Sequence, residues 1–345
     1  PCDQSKIIMV TGSIRMASIK QCIRLGCNSY VSKPFTPSKL FAELERIGLE
    51  LPESVKGSRT AQESYTALVA QIIKRFNTGK IKLPVLPHMV RELQALFEKP
   101  DPSIAALAGI VEKDAVISAQ LIRAANSAVY KGMENVSSLN DALVRIGIKE
   151  AVSFITAITQ KYLYKSDKDL LKTHLDRLWL HSLATACACK FLAGQIKDKP
   201  LDGIFLAGTV HDIGKVLLLK AICDINPDAP LEDTGLLEAI QEVHTVFGAV
   251  LIKKWGFSKP FVQAAELHHW DRFPQDAPPE LLIVHIANRL AKKCGYASFD
   301  LKKDAADESA SLLHATAGQL NIVPEQLDVL CEQVSDAMTE LAETF

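Results

Sequence analysis

An adjacent histidine and aspartate, His211 and Asp212, lie inside the apolar run of residues 206–215. Burying this pair costs free energy unless each side chain is hydrogen-bonded or bound to a metal ion. The dipeptide alone is weak evidence, because a chain of this composition contains roughly half of one such pair by chance. Its meaning therefore depends on which other polar side chains reach it in the fold.

Other histidines lie on segments with helical periodicity. His181 lies at the edge of the apolar stripe of a helix predicted over residues 176–195. Asp202 is the predicted N-cap of the helix that carries His211 and Asp212. Later predicted helices carry the remaining polar residues: His244, His268, His269, His285 and Asn288. Imidazole and carboxylate ligands suit iron, manganese or zinc, and such a metal would lower the pKa of its bound water toward neutrality.

The composition is that of a globular protein. The chain has 345 residues, of which 48% are hydrophobic, and 39 basic residues balance 40 acidic ones. This balance argues against nucleic acid or an anionic membrane as a required partner. No signal peptide opens the chain, and no apolar run approaches the length of a membrane span. The eight cysteines lack the spacing of a disulfide scaffold, which predicts mostly buried thiols in a reducing cytoplasm.

Residues 1–49 alternate between short apolar runs and helical patterns. The runs 7–10 and 29–32 predict buried parallel strands, and helices are predicted over 16–25 and 37–47. Two such units cannot bury a parallel sheet alone. Since the chain opens at Pro1 without a methionine, we expect an upstream half to supply the central strands.

This region resembles the second half of a response-regulator receiver domain, which has a flavodoxin-like α/β fold. Thr11 is similar to the strand-end hydroxyl residue of that family, Tyr30 to its switch aromatic residue, and Lys33, followed by Pro34, to its invariant lysine. The resemblance implies a phosphoryl-accepting aspartate upstream of residue 1 and a sensor histidine kinase as partner. The alternative is an unrelated α/β segment in which Lys33 is a solvated surface charge.

The rest of the chain is predicted to be helical. Residues 50–63 are polar and contain proline, glycine and serine, as in a linker. We expect a first helical subdomain over 64–170, a second over 171–300, and closing helices over 301–345. The first contains predicted helices over 65–76, 88–97, 104–111, 115–126, 138–147 and 149–164.

The first subdomain resembles the amino-terminal half of HDOD modules, which are relatives of the HD superfamily. The matching segments are Leu83–Pro87, Asp114 with residues 121–127, and residues 142–147. This resemblance implies a mainly all-α fold and a regulatory, non-catalytic module that binds other signalling proteins and could pair as a homodimer. Asp114 is the predicted N-cap of the helix that begins at Ala115, where the family usually has proline.

The second subdomain is similar to the HD superfamily in the order of its polar residues. In HD phosphohydrolases the metal ligands are a histidine, the His-Asp pair and a distant aspartate, and versions with two metals add a histidine and a histidine pair. The resemblance assigns these positions to His181, His211, Asp212, His244, His268, His269 and Asn288. Asn288 stands where the last carboxylate is expected. The loss of this negative charge should weaken metal binding, and it should slow hydrolysis even more. The alternative is a buried hydrogen-bond network that fixes helix packing.

Together these resemblances predict a cytoplasmic two-component signalling protein with a non-catalytic HDOD output module. The competing hypothesis is a metal-dependent phosphohydrolase that acts on a nucleotide or cyclic dinucleotide. The cyclic-dinucleotide phosphodiesterases of the superfamily carry a Gly-Tyr-Pro signature after the histidine pair. Here residues 270–274 read Trp-Asp-Arg-Phe-Pro, which argues against that particular activity.

Overall fold

The computed structural model describes residues 6–11, 27–32, 40, 43–44, 46–49, 65, 68–69, 71–76, 78–81, 84–97, 102–130, 132–196, 201–270, 272–299 and 306–342. The chain forms two compact units, residues 1–74 and residues 75–345. Each unit is described by itself below.

The first unit contains two short parallel strands. Strand β1 is Ile8–Thr11 and strand β2 is Ser29–Ser32, with Ile8 opposite Ser29 and Thr11 opposite Ser32. Both predicted strands are present and parallel, and Thr11 and Tyr30 lie on them. The first is not buried as predicted, since Met9 is 36% exposed. The predicted helix 16–25 and Lys33 lie outside the described residues.

Every regular element described in residues 84–342 is a helix, as the sequence predicted. The α-helices are α1 (His88–Phe97), α2 (Ile104–Val111), α3 (Ala115–Asn126), α4 (Leu139–Ile146), α5 (Ile148–Thr159), α6 (Asp169–Gln195), α7 (Ile204–Val210), α8 (Ile213–Ile225), α9 (Thr234–Lys254), α10 (Lys259–Leu267), α11 (Pro279–Lys293), α12 (Ala306–Gln319) and α13 (Pro324–Ala342). A 3-10 helix, Gln160–Tyr164, follows α5.

Local capping explains where several helices begin. The carboxylate of Asp114 accepts hydrogen bonds from the backbone N–H groups of Val116 and Ile117, which confirms it as the N-cap of α3. The prediction for Asp202 is wrong. Gly203, with φ of 77°, caps α7, while the Asp202 carboxylate accepts a hydrogen bond from Lys149 Nζ at 2.8 Å. A charged lysine on the neighbouring helix competes for that carboxylate.

Helix α6 is the centre of the second unit. Its 27 residues span about 40 Å, and it packs against α7, α8, α11 and α13. It begins at Asp169, seven residues before the predicted start, and it packs against the 3-10 helix. Cys187 and Cys189 on α6 are buried free thiols, as expected. Cys331, also expected to be a buried free thiol, instead forms a disulfide with Cys294 where α13 meets α11.

Helix α9 has the length and composition of a membrane span. It is the one such helix among the described residues, and 56% of its most apolar window is buried inside the protein. A core helix of a helical domain passes the same test. α9 packs against α8 and α10 and carries His244 into the interior.

Helices α8 and α9 approach each other closely at one glycine pair. A Cβ atom on Gly214 of α8 would overlap the carbonyl oxygen of His244 and lie 2.8 Å from the nitrogen of Gly248. A Cβ on Gly248 of α9 would meet the Gly214 nitrogen at 3.4 Å, which is ordinary contact. Only Gly214 is therefore required for the approach that places His244.

We predict that Gly214→Ala destabilises the protein by about 2–4 kcal/mol, because the two helix backbones must separate. This opposes the gain of about 1 kcal/mol that alanine normally brings to a helix. Gly248→Ala is the matched control and should be neutral or slightly stabilising. Urea unfolding followed by circular dichroism measures both variants. Equal stability of the two variants would contradict the close contact.

Candidate metal centre

His211 and Asp212 lie at a break between two helices. α7 ends at Val210 and α8 begins at Ile213, and Asp212 has φ of −101° and ψ of 11°. The expectation that one continuous helix carries the pair is therefore wrong. Adjacent side chains on a continuous helix point about 100° apart. The break allows both side chains to reach the same interior point.

Four imidazoles converge on the carboxylate of Asp212. His181 Nε2 and His211 Nε2 lie 3.4 Å and 3.6 Å from its Oδ2 atom. His244 Nε2 and His268 Nε2 lie 3.0 Å and 3.4 Å from its Oδ1 atom. All five residues are between 0% and 1% exposed. Residues from four separate parts of the chain thus meet in one buried cluster, as the resemblance implied.

Each of these imidazoles is oriented by a hydrogen bond at its other nitrogen. The Nδ1–H groups donate to backbone carbonyl oxygens: Tyr296 for His181 (2.7 Å), Gly208 for His211 (2.7 Å), Gln241 for His244 (2.7 Å) and Ala265 for His268 (3.0 Å). A neutral imidazole that donates from Nδ1 has a lone pair at Nε2. All four lone pairs therefore face the carboxylate.

This convergence leaves buried acceptors opposite one another. His181 Nε2, His211 Nε2 and Asp212 Oδ1 have no hydrogen-bond partner among the described residues. Buried polar atoms without partners are costly, and imidazoles held through Nδ1 by carbonyls are typical metal ligands. The residues fit a metal ion in two overlapping sets that share Asp212. One set adds His181 and His211, and the other adds His244, His268 and His269.

We call these sets the Oδ2 half and the Oδ1 half of the centre, after the Asp212 oxygen nearest to each. The Oδ2 half consists of Asp212 Oδ2, His181 and His211, and the Oδ1 half of Asp212 Oδ1, His244, His268 and His269.

A buried lysine, which the sequence reasoning missed, belongs to the same cluster. Lys215 Nζ lies 2.6 Å from Asp212 Oδ2, donates to Ser298 Oγ at 3.0 Å and lies 5.3 Å from the centre of the Phe299 ring. Lys215 is 0% exposed. It stands one helical turn after Asp212 on an apolar helix, and this spacing could have identified it.

The electrostatics of the cluster favour ionised Asp212 and neutral histidines. Burial alone would raise the pKa of Asp212, but the Lys215 ammonium and the imidazoles outweigh it and hold that pKa well below its usual value. Burial lowers the pKa of His211 well below its usual value and that of His244 to about 4. Burial also lowers the pKa of His181, so around neutral pH protonation does not remove the Nε2 lone pairs of His181, His211 and His244.

The remaining predicted site residues are less directly engaged. The rings of His269 and His268 lie 4.1 Å apart, and His269 Nε2 lies 2.9 Å from the side-chain amide nitrogen of Gln241. Asn288 on α11 is 2% exposed, and its Oδ1 atom accepts no hydrogen bond from the described residues. His285, one turn earlier, donates from Nδ1 to the carbonyl of His268 at 2.8 Å and so holds the histidine pair in place.

Fold and cluster together define a helical protein with a buried histidine and aspartate centre. A model of the HDOD domain family matches residues 83–270, more than half of the chain. The chain therefore belongs to the HDOD domain family.

Known proteins of the same fold have little sequence in common with this chain. A candidate metal-dependent phosphohydrolase from Shewanella amazonensis SB2B matches with a TM-score of 0.69 and 22% identity, over 82% of this chain and 99% of that one. A candidate signal transduction protein from Marinobacter aquaeolei VT8 matches with a TM-score of 0.55 and 18% identity, over 82% of this chain and 66% of that one. These similarities show that this chain shares its fold with those two proteins.

A curated relative has no described function. It is an uncharacterized protein of Treponema pallidum (strain Nichols), 22% identical over 237 residues. The match covers 66% of this chain and 45% of the relative, so this chain spans less than half of that protein's length.

We predict that Asp212→Asn lowers the amount of bound iron, manganese or zinc about tenfold or more, because Asp212 is shared by both halves of the centre. Asp228→Asn, in an exposed turn, is the control and should keep the wild-type content. Elemental analysis after incubation with each metal and dialysis gives the result. Equal metal content in both variants would show that the cluster is a hydrogen-bond network and not a metal centre.

Proposed function

We propose that this HDOD protein is a non-catalytic output and interaction module of a two-component signalling system, acting in the cytoplasm. The observation that supports this most is the closure of the centre. His181, His211, Asp212, His244 and His268 are at most 1% exposed, and His269 is partly exposed. Substrate would have to reach a metal held by these residues through packed side chains, which favours a role in holding the metal over a role in hydrolysis.

The residues of the centre also favour a protein that holds a metal ion over one that uses it to hydrolyse a substrate. A divalent ion in the centre would supply Lewis acidity and a water of lowered pKa. Lys215 already shares the Asp212 carboxylate, and Asn288 offers an uncharged amide where hydrolases of the HD superfamily have a carboxylate. Both features reduce the negative charge available to a metal. Backbone carbonyls around the centre orient four of its histidines.

The signalling role rests on the likeness of residues 1–49 to a receiver domain. The parallel pairing of β1 and β2 supports this likeness, since receiver strands are parallel. Phosphorylation of an aspartate upstream of residue 1 by a sensor histidine kinase would shift the population between two receiver states. The surface around Tyr30 and Lys33 is the proposed contact that changes.

A hydrolysis assay tests the non-catalytic role. We expect the protein loaded with iron, manganese or zinc to hydrolyse p-nitrophenyl phosphate, bis(p-nitrophenyl) phosphate and cyclic dinucleotides no faster than the Asp212→Asn variant. The reason is that five of the six described residues that could hold the metal are at most 1% exposed, so substrate has little access to it. Turnover well above that variant, with the same metal, would contradict the proposal.

A phosphodonor experiment tests the signalling role. In a longer protein that carries an acceptor aspartate upstream of residue 1, acetyl phosphate should change the oligomeric state or the protease sensitivity of residues 50–63. An upstream Asp→Asn variant should not respond. The receiver mechanism is wrong if light scattering and limited proteolysis give the same result with and without the phosphodonor.

A metal-dependent phosphohydrolase acting on a nucleotide is the second candidate. The observation in its favour is the convergence of Nε2 lone pairs on Asp212, which is the donor arrangement that a hydrolytic metal needs. It would require the closed centre to open to substrate. The hydrolysis assay distinguishes the two candidates.

A further inference from the structure

The two oxygens of Asp212 lie in different surroundings. Oδ2 accepts a hydrogen bond from the Lys215 ammonium at 2.6 Å. Oδ1 accepts no hydrogen bond from any described residue. One oxygen is therefore already paired with a cation, and the other is not.

Lys215 is held firmly on the Oδ2 side. Its Nζ atom also donates to Ser298 Oγ at 3.0 Å and lies over the Phe299 ring, and the residue is fully buried. The ammonium cannot withdraw to solvent to make room. A divalent ion on Oδ2 would lie within a few ångströms of this positive charge, in surroundings that screen it poorly.

The Oδ1 side offers lone pairs without a competing ammonium on its oxygen. His244 Nε2 lies 3.0 Å and His268 Nε2 lies 3.4 Å from Oδ1, and the two nitrogens are 3.5 Å apart. These atoms form a ligand set with one nitrogen of His269, all within 4.8 Å of one another.

The contact with Gln241 bears on which nitrogen of His269 joins this set. Its side-chain amide lies 2.9 Å from His269 Nε2. Amide nitrogen and oxygen are interchangeable in such an assignment. With the oxygen toward His269, Nε2–H donates to Gln241 and the Nδ1 lone pair is left for a metal. Three imidazoles and one carboxylate then form a four-ligand set suited to zinc or iron.

We propose that the centre binds a single divalent metal ion in its Oδ1 half, through Asp212, His244, His268 and His269, while the Lys215 ammonium serves as the second cation in the Oδ2 half. His181 and His211 are then not ligands of the metal. The proposal rests on the metal centre described above and does not depend on whether the protein is catalytic.

Zinc and cobalt titrations of the whole chain test this assignment. Wild type should bind one equivalent of metal, and His244→Gln and His268→Gln should each weaken binding about tenfold or more. His181→Gln and His211→Gln should weaken binding less than either of these variants, because neither residue is a ligand in this arrangement. The visible absorption of bound Co²⁺ reports the ligand set independently of activity.

Replacing the lysine provides the sharpest comparison. Lys215→Met should raise the stoichiometry to two equivalents, because the Oδ2 half then lacks its cation. Lys220→Met, on the same helix, is the matched control and should remain at one. An unchanged stoichiometry in Lys215→Met would overturn the role of the ammonium.

X-ray absorption at the zinc edge of the wild-type protein needs no variant and guards against misfolding. A single zinc with three imidazoles and one oxygen supports the proposal. Two zinc ions in wild type, or binding that depends on His181 and His211 but not on His244 and His268, would overturn it. A protein that binds no metal overturns it too, whatever the outcome of the hydrolysis assay.

Discussion

The second unit depends on how one buried carboxylate is satisfied. Asp212 is 1% exposed and is surrounded by four imidazole nitrogens that present lone pairs to it. Such an arrangement is stable only if positive charge lies among these atoms. Lys215 supplies part of that charge at Oδ2, and a metal ion can supply the rest. The helices are arranged so that this charge is sealed from water.

The backbone geometry brings the histidines close to the Asp212 carboxylate. The break between α7 and α8 directs His211 and Asp212 to one point, and Gly214 lets α9 approach closely enough to deliver His244. The carbonyls of Gly208 and Gln241 belong to the last turns before their histidines and fix the ring orientation locally. By contrast, His181 depends on the distant carbonyl of Tyr296 and thus on the packing of α11 against α6.

Much of the helical fold and part of the candidate site could be predicted from the sequence. Helical periodicity and capping residues such as Asp114 indicated the element types and many of their ends, and the resemblance to the HD superfamily indicated which histidines converge. The tautomers could not be predicted, because they depend on backbone carbonyls, which have no residue signature. Lys215 was missed because a lysine is normally solvated. The Cys294–Cys331 pair arises from the packing of α11 against α13, which spacing in the chain does not reveal.

The most direct test of the central claim is the protonation state of the imidazoles, measured by long-range ¹H–¹⁵N NMR on the metal-free protein near neutral pH. The account predicts Nδ1–H tautomers for His181, His211, His244 and His268, with Nε2 resonances that change when metal is added. Protonated Nε2 atoms donating to Asp212 would contradict it, since the carboxylate would then need no additional cation.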